Sequence, residues 1–192
     1  MGNGMNKILP GLFLGNIIDA KDLDQLSKNN ITHIVSIHES PQPFIPGITY
    51  LRIVLPDTPE ANILAGISRS TTIVLAYLMA VTQLGWHEAL EAVKAVRPVA
   101  NPNLGFCQQL EDFGRSQSVQ KIRRRLERKY GGTPFHDSEA VRVLLPSSQR
   151  QEPPSTERAL QALGPKSRSV KHIDSFLMRV KETCSCLPGC LK

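Results

Sequence analysis

The stretch Ala65-Gly66-Ile67-Ser68-Arg69-Ser70 decides how this chain folds, because it joins a glycine-bearing loop to the apolar helical run Thr71–Met79. The first turn of a helix exposes N–H groups and carries a partial positive charge, so it binds phosphate or sulfate readily. Gly66 can take backbone angles that let several amides converge on one anion, and Arg69 supplies a planar, charged fork that matches phosphate oxygens. The stretch therefore predicts a phosphate-binding loop at the start of a helix.

The groups in this loop bind a phosphate, but none of them attacks one. No cysteine, Ser–His pair or metal cluster stands just before the loop. The four cysteines lie elsewhere, at Cys107, Cys184, Cys186 and Cys190, and no histidine stands at metal-ligand spacing from them. Cys107 lies among polar residues, and we interpret it as incidental. The sequence predicts neither a cofactor nor a metal site, and cysteine usage of this kind fits a reducing, cytosolic setting.

Composition and charge divide the chain into two parts. A chain of 192 residues with 41% apolar content suits one globular domain with a tail, and no apolar run is long enough to predict a transmembrane helix. Residues 1–114 carry 7 Lys/Arg and 10 Asp/Glu, whereas residues 115–192 carry 16 and 7. We place the domain at 1–145 and a basic, largely disordered tail at 146–192. The tail is either solvated or bound to an anionic membrane surface; without aromatic interleaving or base-reading motifs, nucleic acid is not a predicted partner.

The hydrophobic pattern predicts an α/β fold. Two short strands around a Pro-Gly turn are expected within 8–16, a helix over 19–26, and a buried strand of a parallel sheet over 31–37, with the next strand at 48–55. Helices are expected after the loop to about residue 84, over 86–96 and over 104–113, the last capped by Asn103. We expect His33 and His38 to pair locally rather than to act in catalysis.

Two helical stretches outside this core are basic. Lys121–Lys129 contains three consecutive arginines, and a second amphipathic stretch runs from Val170 to Thr183. The second stretch precedes Cys184, Cys186 and Cys190, which are candidate palmitoylation sites beside a membrane-surface helix. A helix docked on the domain is the alternative interpretation.

Several short motifs together resemble the small atypical dual-specificity protein phosphatases of the myristoylated subgroup. The resemblance covers about residues 1–145 and rests on the start Met-Gly-Asn-Gly-Met, Leu9-Pro10-Gly11-Leu12, Gly15-Asn16, Asp57-Thr58-Pro59, the stretch 65–70 and Asn101-Pro102-Asn103. It implies a protein-tyrosine-phosphatase-like parallel or mixed sheet flanked by helices. It also implies dephosphorylation of phosphotyrosine and phosphoserine/threonine in proteins through a cysteinyl-phosphate. Gly2 is then the myristoylation site, at the cytoplasmic face of the plasma membrane.

The roles of the family's loop transfer by position. The resemblance implies that Arg69 binds phosphate, that Ser70 assists the leaving thiolate, and that Asp57 is the general acid. Without the resemblance, Asp57 is either an acid overhanging the sheet edge or a turn former. The remaining positions implied to bind phosphate are Leu64, Ala65, Gly66, Ile67 and Ser68.

The nucleophile is the departure from the family. Counting back from Arg69, the cysteine position holds Ile63, which cannot attack phosphorus. Only five residues, 58–62, separate Asp57 from Ile63, whereas a parallel crossover needs a dozen or more. We therefore expect an internal truncation near 60–64 that removes one core strand and one helix together with the catalytic cysteine.

Three hypotheses about function follow. The first is a phosphatase family member that is inactive as written. The second is a non-catalytic phosphoprotein-binding or scaffold module that keeps the phosphate-binding loop. The third is a poorly folded variant product, because net domain stability is only about 5–15 kcal/mol and a lost strand and helix remove much buried area.

Overall fold

The computed structural model describes residues 4–37, 45–53, 67–131 and 137–145, and over these ranges the architecture is α/β. The strands are β1 (Asn6–Leu9), β2 (Leu12–Leu14), β3 (His33–Ser36) and β4 (Thr49–Arg52). The helices are α1 (Leu23–Lys28), α2 (Arg69–Val81), α3 (Trp86–Val96), α4 (Leu104–Arg115), α5 (Gln117–Tyr130) and α6 (Asp137–Leu144). Among these described elements, no helix is long and apolar enough to cross a membrane.

The N-terminal hairpin forms as the sequence predicts. Strands β1 and β2 pair antiparallel, and Gly11 between them has a φ of 80°, a backbone angle that glycine adopts without strain. Arg97 fixes the hairpin to the end of α3: its Nη1 donates to the Asn6 side-chain oxygen at 2.6 Å and to the Gly4 carbonyl at 3.2 Å. Burial lowers the pKa of the Arg97 guanidinium, and the charge of Asp19 opposes that shift.

The parallel strand pair also forms, but its burial differs from the prediction. Strands β3 and β4 run parallel, with His33 opposite Thr49 and Ser36 opposite Arg52. The buried strand predicted over 31–37 is wrong in one respect, since Val35 is 43% exposed. Within the described residues the pair forms a sheet of its own, separate from β1–β2, and contributes nothing to the main apolar cluster. A strand buries both of its faces only where other elements cover both faces of its sheet.

The helix predicted over 19–26 is confirmed from Leu23 onward but is wrong over 19–22, because Asp22 interrupts it. Residues Asp19–Lys21 form one 3-10 turn, and α1 starts only at Leu23. The Asp22 carboxylate accepts from the amides of Asp24 and Gln25, both at 3.1 Å, and thereby caps a new helix instead of continuing the old one. As a result Leu26 is buried and Leu23 is 59% exposed, so the two do not share a buried face.

The core is built around α2. Leu75, Ala76 and Leu78 have no exposed surface, and α2 packs against α3, α4 and α5 and contacts β2. Ile8 and Leu9 of β1 complete this core from the hairpin side. Each Å² of apolar surface that is buried contributes about 25 cal/mol to the free energy of folding. This helical cluster is therefore the main source of folding free energy in the described part of the chain.

The last three helices close the core. Asn103 caps α4 as predicted, accepting from the Phe106 amide at 2.8 Å, and Phe113 is fully buried on the inner face. Helix α6, which the sequence reasoning did not identify, buries Val141 against α3 and β1. The Tyr77 hydroxyl donates to Asp137 of α6 at 3.0 Å.

Candidate phosphate-binding site

The predicted phosphate-binding loop leads into the N-terminus of α2, the most buried helix of the core. Ser68 precedes the first helical residue, Arg69, and its carbonyl accepts the first intrahelical bond from the Thr72 amide at 2.9 Å. The Ser68 hydroxyl makes no capping bond to the amides of the first turn, although serine at this position usually does. The geometry suits an anion, since a bound phosphate can accept from first-turn amides that no side chain caps.

The Ser68 hydroxyl instead binds the segment before α4. It accepts from the Asn103 amide at 3.0 Å, and the Ile67 carbonyl accepts from the Asn101 amide at 2.9 Å. Ser68 is 3% exposed, so these two bonds fix the exit of the loop inside the protein. The sequence reasoning had Asn103 only as a helix cap; the signal for this second role is a polar Asn-Pro-Asn motif placed directly before a helix.

The two residues after Ser68 put a cation and a hydroxyl at the start of α2. Arg69 and Ser70 occupy the first two helical positions of α2, and both are half-buried. A guanidinium at a helix N-terminus adds a full positive charge to the partial charge of the helix dipole. The structure thus brings Ile67, Ser68, Arg69 and Ser70 of the predicted set together at one helix end.

Three described side chains carry a buried polar atom without a partner, one in the first turn of α2 and two in β3. Among the described residues, the Thr71 Oγ1, the Ser36 Oγ and the His33 Nε2 have no hydrogen-bond partner. Thr71 follows Ser70 in the first turn of α2, and Ser36 is the last residue of β3. Each such group costs about 1–3 kcal/mol when it is buried and unpaired. As predicted, His33 also pairs locally, through Nδ1 with the Thr32 hydroxyl at 2.8 Å.

The other predicted site residues lie outside the described residues. These are the general-acid position Asp57, the nucleophile position Ile63, the loop positions Leu64, Ala65 and Gly66, the candidate lipidation sites Gly2, Cys184, Cys186 and Cys190, and also His38. Over the described ranges, no group of three His, Cys, Asp or Glu side chains is arranged to hold a metal ion.

Cys107 does not have the environment of a nucleophile. Its thiol is half-buried in the first turn of α4 and lies 3.7 Å from the Pro102 carbonyl. Burial raises the pKa of this thiol, more than the nearby Lys94 charge lowers it. Because the thiolate is the reactive form, Cys107 is poorly suited to attack phosphorus at neutral pH.

Known proteins are similar to this chain in sequence and in fold. The family model described as "Dual specificity phosphatase, catalytic domain" matches residues 64–116, from the loop through α4. Dual specificity protein phosphatase 15 of Rattus norvegicus is 52% identical over an alignment that covers all of this chain and 98% of that protein. The chain belongs to the dual-specificity phosphatase family.

Two further relatives agree with this assignment. Human dual specificity protein phosphatase 22 is 44% identical over 76% of this chain and 92% of that protein. A crystal structure of dual specificity phosphatase 15 superposes with a TM-score of 0.62 and 58% identity, over 68% of this chain and 99% of that one. The fold is therefore that of the protein-tyrosine-phosphatase-like α/β domains.

Each of these two alignments has more positions than the part of this chain that it covers has residues. The Rattus norvegicus alignment extends over 231 positions, against 192 residues here, so about 39 of its positions have no residue in this chain. The human alignment extends over 170 positions but covers 76% of this chain, about 146 residues, which leaves about 24 positions without a residue. The family model starts its match at Leu64, the residue after Ile63.

Proposed function

We propose that this chain is a form of dual-specificity phosphatase that keeps the phosphate-binding end of α2 and catalyses no dephosphorylation. The observation that carries the proposal is the residue six positions before Arg69, where the family mechanism requires cysteine and this chain has Ile63. An isoleucine side chain has no lone pair to attack phosphorus, so no cysteinyl-phosphate forms.

The loss extends beyond one side chain. We infer that one strand and one helix are missing between Asp57 and Leu64, in a gap of about 24 residues, which is the number of positions that the human alignment leaves without a residue in this chain. The alignment lengths support this, as does the start of the family match directly after Ile63. The described strands form two separate sheets, which is consistent with the loss of a strand that would pair with both of them. The unpartnered Ser36 and Thr71 hydroxyls are consistent with the same loss.

The proposal is tested by hydrolysis of a small aryl phosphate and of phosphotyrosine and phosphoserine peptides. The purified chain is compared with its Arg69→Ala variant and with the Rattus norvegicus relative as the positive control. We expect equal, background turnover for the chain and the variant. Turnover that depends on Arg69 would refute the loss of catalysis.

A cysteine placed at position 63 tests whether the nucleophile alone is missing. We expect this Ile63→Cys variant to stay inactive, because the strand that should position the loop is absent.

A phosphoprotein-binding role is the second candidate. The uncapped N-terminus of α2 and the retained Arg69 favour it, since both can hold an anion without reacting with it. Isothermal titration with a phosphotyrosine peptide should then give binding that Arg69→Ala abolishes and that the unphosphorylated peptide does not reproduce. Binding that is absent, or that Arg69→Ala does not change, excludes this role.

Thermal unfolding tests the third hypothesis, a poorly folded product. A chain without any cooperative thermal transition would favour it.

We also propose attachment to the cytoplasmic face of the plasma membrane. Gly2 of the sequence Met-Gly-Asn-Gly-Met-Asn would carry a myristoyl group, and the basic tail or palmitoylated Cys184, Cys186 and Cys190 would supply the second signal that stable binding requires. The proposal is supported if the chain incorporates an alkyne-labelled myristate and if Gly2→Ala abolishes this incorporation. If Gly2→Ala combined with a deletion of 146–192 leaves the membrane-bound fraction of the chain unchanged, the proposal is contradicted.

A further inference from the structure

The outer face of α5 carries a stripe of five basic side chains. They are Lys121, Arg124, Arg125, Arg128 and Lys129, and all five are exposed. At about 100° per residue they occupy one sector of about 140° around the helix axis. A shallow depression on this face is lined by Arg124, Glu127 and Arg128, and Glu127 is the single acid of the helix.

The opposite face of α5 fixes the direction in which the stripe points. Val119 is 7% exposed within the core cluster, and Ile122 packs against that cluster. Arg123 turns inward, and its guanidinium donates to the carbonyls of Met79 and Thr82 at the end of α2 at 3.1 and 2.7 Å. The stripe is therefore held as a rigid, outward-facing surface and not as a flexible run of charges.

The spacing of the charges in the stripe works against the folding of α5. Like charges three or four residues apart repel one another by roughly 0.2–0.5 kcal/mol per pair, and Lys121, Arg124, Arg125, Arg128 and Lys129 form five such pairs. Only the last turn gains from the helix dipole, through Arg128 and Lys129. A folded helix with this arrangement is better explained by an anionic partner than by stability.

The shape and chemistry of the stripe indicate a planar partner. Phosphopeptide sites surround a phosphate from several sides, and single-stranded nucleic acid sites interleave aromatic side chains with cations. The exposed sector of α5 holds only a shallow depression in its described part and has no aromatic residue among its described side chains. An anionic bilayer, by contrast, attracts any cluster of Lys and Arg that reaches its surface.

We infer that the outer face of α5 binds the anionic headgroups of a lipid bilayer through Lys121, Arg124, Arg125, Arg128 and Lys129. This inference deepens the membrane attachment proposed above by adding a contact surface within the folded domain. It requires no acyl chain, and it is independent of whether the chain hydrolyses phosphate esters.

The test uses the full chain, produced without lipidation, in sedimentation with vesicles. The vesicles are phosphatidylcholine alone or phosphatidylcholine with about 30% phosphatidylserine. Binding should require phosphatidylserine and should weaken between about 0.1 and 0.5 M salt, because the Debye length shortens from about 10 Å to less than half of that. One basic residue near the surface contributes about fivefold in partition coefficient, so Arg124→Gln, Arg125→Gln and Arg128→Gln together should weaken binding about a hundredfold.

Two matched variants make the result specific to this face. Lys7, Lys21 and Lys28 are exposed on other elements, and their replacement by Gln removes the same net charge but should leave binding within about threefold. Replacement of Arg124, Arg125 and Arg128 by Lys should preserve binding, because a bilayer senses charge whereas a bidentate phosphate site needs the guanidinium fork. Circular dichroism checks that each variant keeps its helix content.

The inference is overturned by any of three results. These are equal sedimentation with both vesicle types, equal weakening by the two Gln variants, and tighter binding to polyglutamate or to a DNA duplex than to the phosphatidylserine vesicles. A negative result would leave Gly2 acylation and the loss of catalysis untouched, since neither enters this assay.

Discussion

Replacing Arg123 with alanine is expected to destabilise the whole domain, although the residue belongs to a highly charged surface helix. Its guanidinium donates to three carbonyls at the end of α2: Thr82 at 2.7 Å, Met79 at 3.1 Å and Ala80 at 3.3 Å. All three of these residues are at most 3% exposed. Carbonyls in the last turn of a helix have no intrahelical partner, so Arg123 performs the function of a C-terminal cap.

The magnitude follows from these three bonds. A hydrogen bond to a charged group contributes about 1.5–3 kcal/mol, but here one half-buried guanidinium serves three acceptors. We therefore expect Arg123→Ala to lower the free energy of unfolding by about 2–4 kcal/mol in total. For a domain of this size, 1 kcal/mol corresponds to about 2–4 °C, so the melting temperature should fall by about 4–15 °C.

Urea unfolding followed by circular dichroism measures this loss. Arg124→Ala is the matched control, because it removes the same side chain from the adjacent position on the exposed face and should change stability by less than about 0.5 kcal/mol. The loss of stability in Arg123→Lys should lie between those of Arg123→Ala and Arg124→Ala, since an ammonium cannot reach three divergent carbonyls at once. An Arg123→Ala loss no larger than that of Arg124→Ala would refute the capping role.

Three further outcomes are expected. Burial raises the pKa of the Asp137 carboxyl above its ordinary 3.8, and the bond from the Tyr77 hydroxyl only partly offsets this. The protonated Asp137 carboxyl therefore contributes its full share of the free energy of unfolding at pH values below 3.8. This contribution is lost as the pH rises through the pKa of Asp137 in the folded protein. Asp137→Asn should accordingly raise the melting temperature more at pH about 7 than at pH about 4, and an equal rise at both would contradict the argument. Ser68→Ala removes the acceptor of the Asn103 amide and should cost about 1–2 kcal/mol in urea unfolding, whereas an unchanged midpoint would show that the bond is dispensable. Cys107, with its raised pKa, should react with iodoacetamide at pH about 7 more slowly than free cysteine; mass spectrometry of the labelled 107 peptide decides this, and faster labelling would contradict the burial argument.

Much of the fold could be predicted from the sequence, because local patterns determine most of it. The hairpin around Pro10-Gly11, the cap at Asn103 and the helix over 86–96 each depend on residues close in sequence. One error occurred where two local preferences compete. Asp22 fits the first turn of one helix as well as the cap of the next, and only the structure distinguishes the two.

The candidate site was predictable in type but not in its support. A glycine-bearing loop before an apolar helix, with Arg69 at its end, indicates phosphate binding without further information. The bonds from the segment 101–103 to Ile67 and Ser68 join residues more than thirty positions apart, so no local pattern specifies them. Helix α6 was missed for a related reason: it has eight residues and is held by its contacts with α3 and β1 rather than by a strong pattern of its own.

The separation of β3–β4 from the helical cluster has a consequence for the motions of this protein. Val35 is 43% exposed, and the pair contributes no residue to the cluster around α2. Its backbone amides should therefore exchange with solvent deuterium through local openings, at a lower free energy than the amides of α2. Each opening presents a short strand with unpaired N–H and C=O groups, the kind of edge through which chains associate. The weak point in the described part of this domain is thus the pair β3–β4, whose strands have only four residues each.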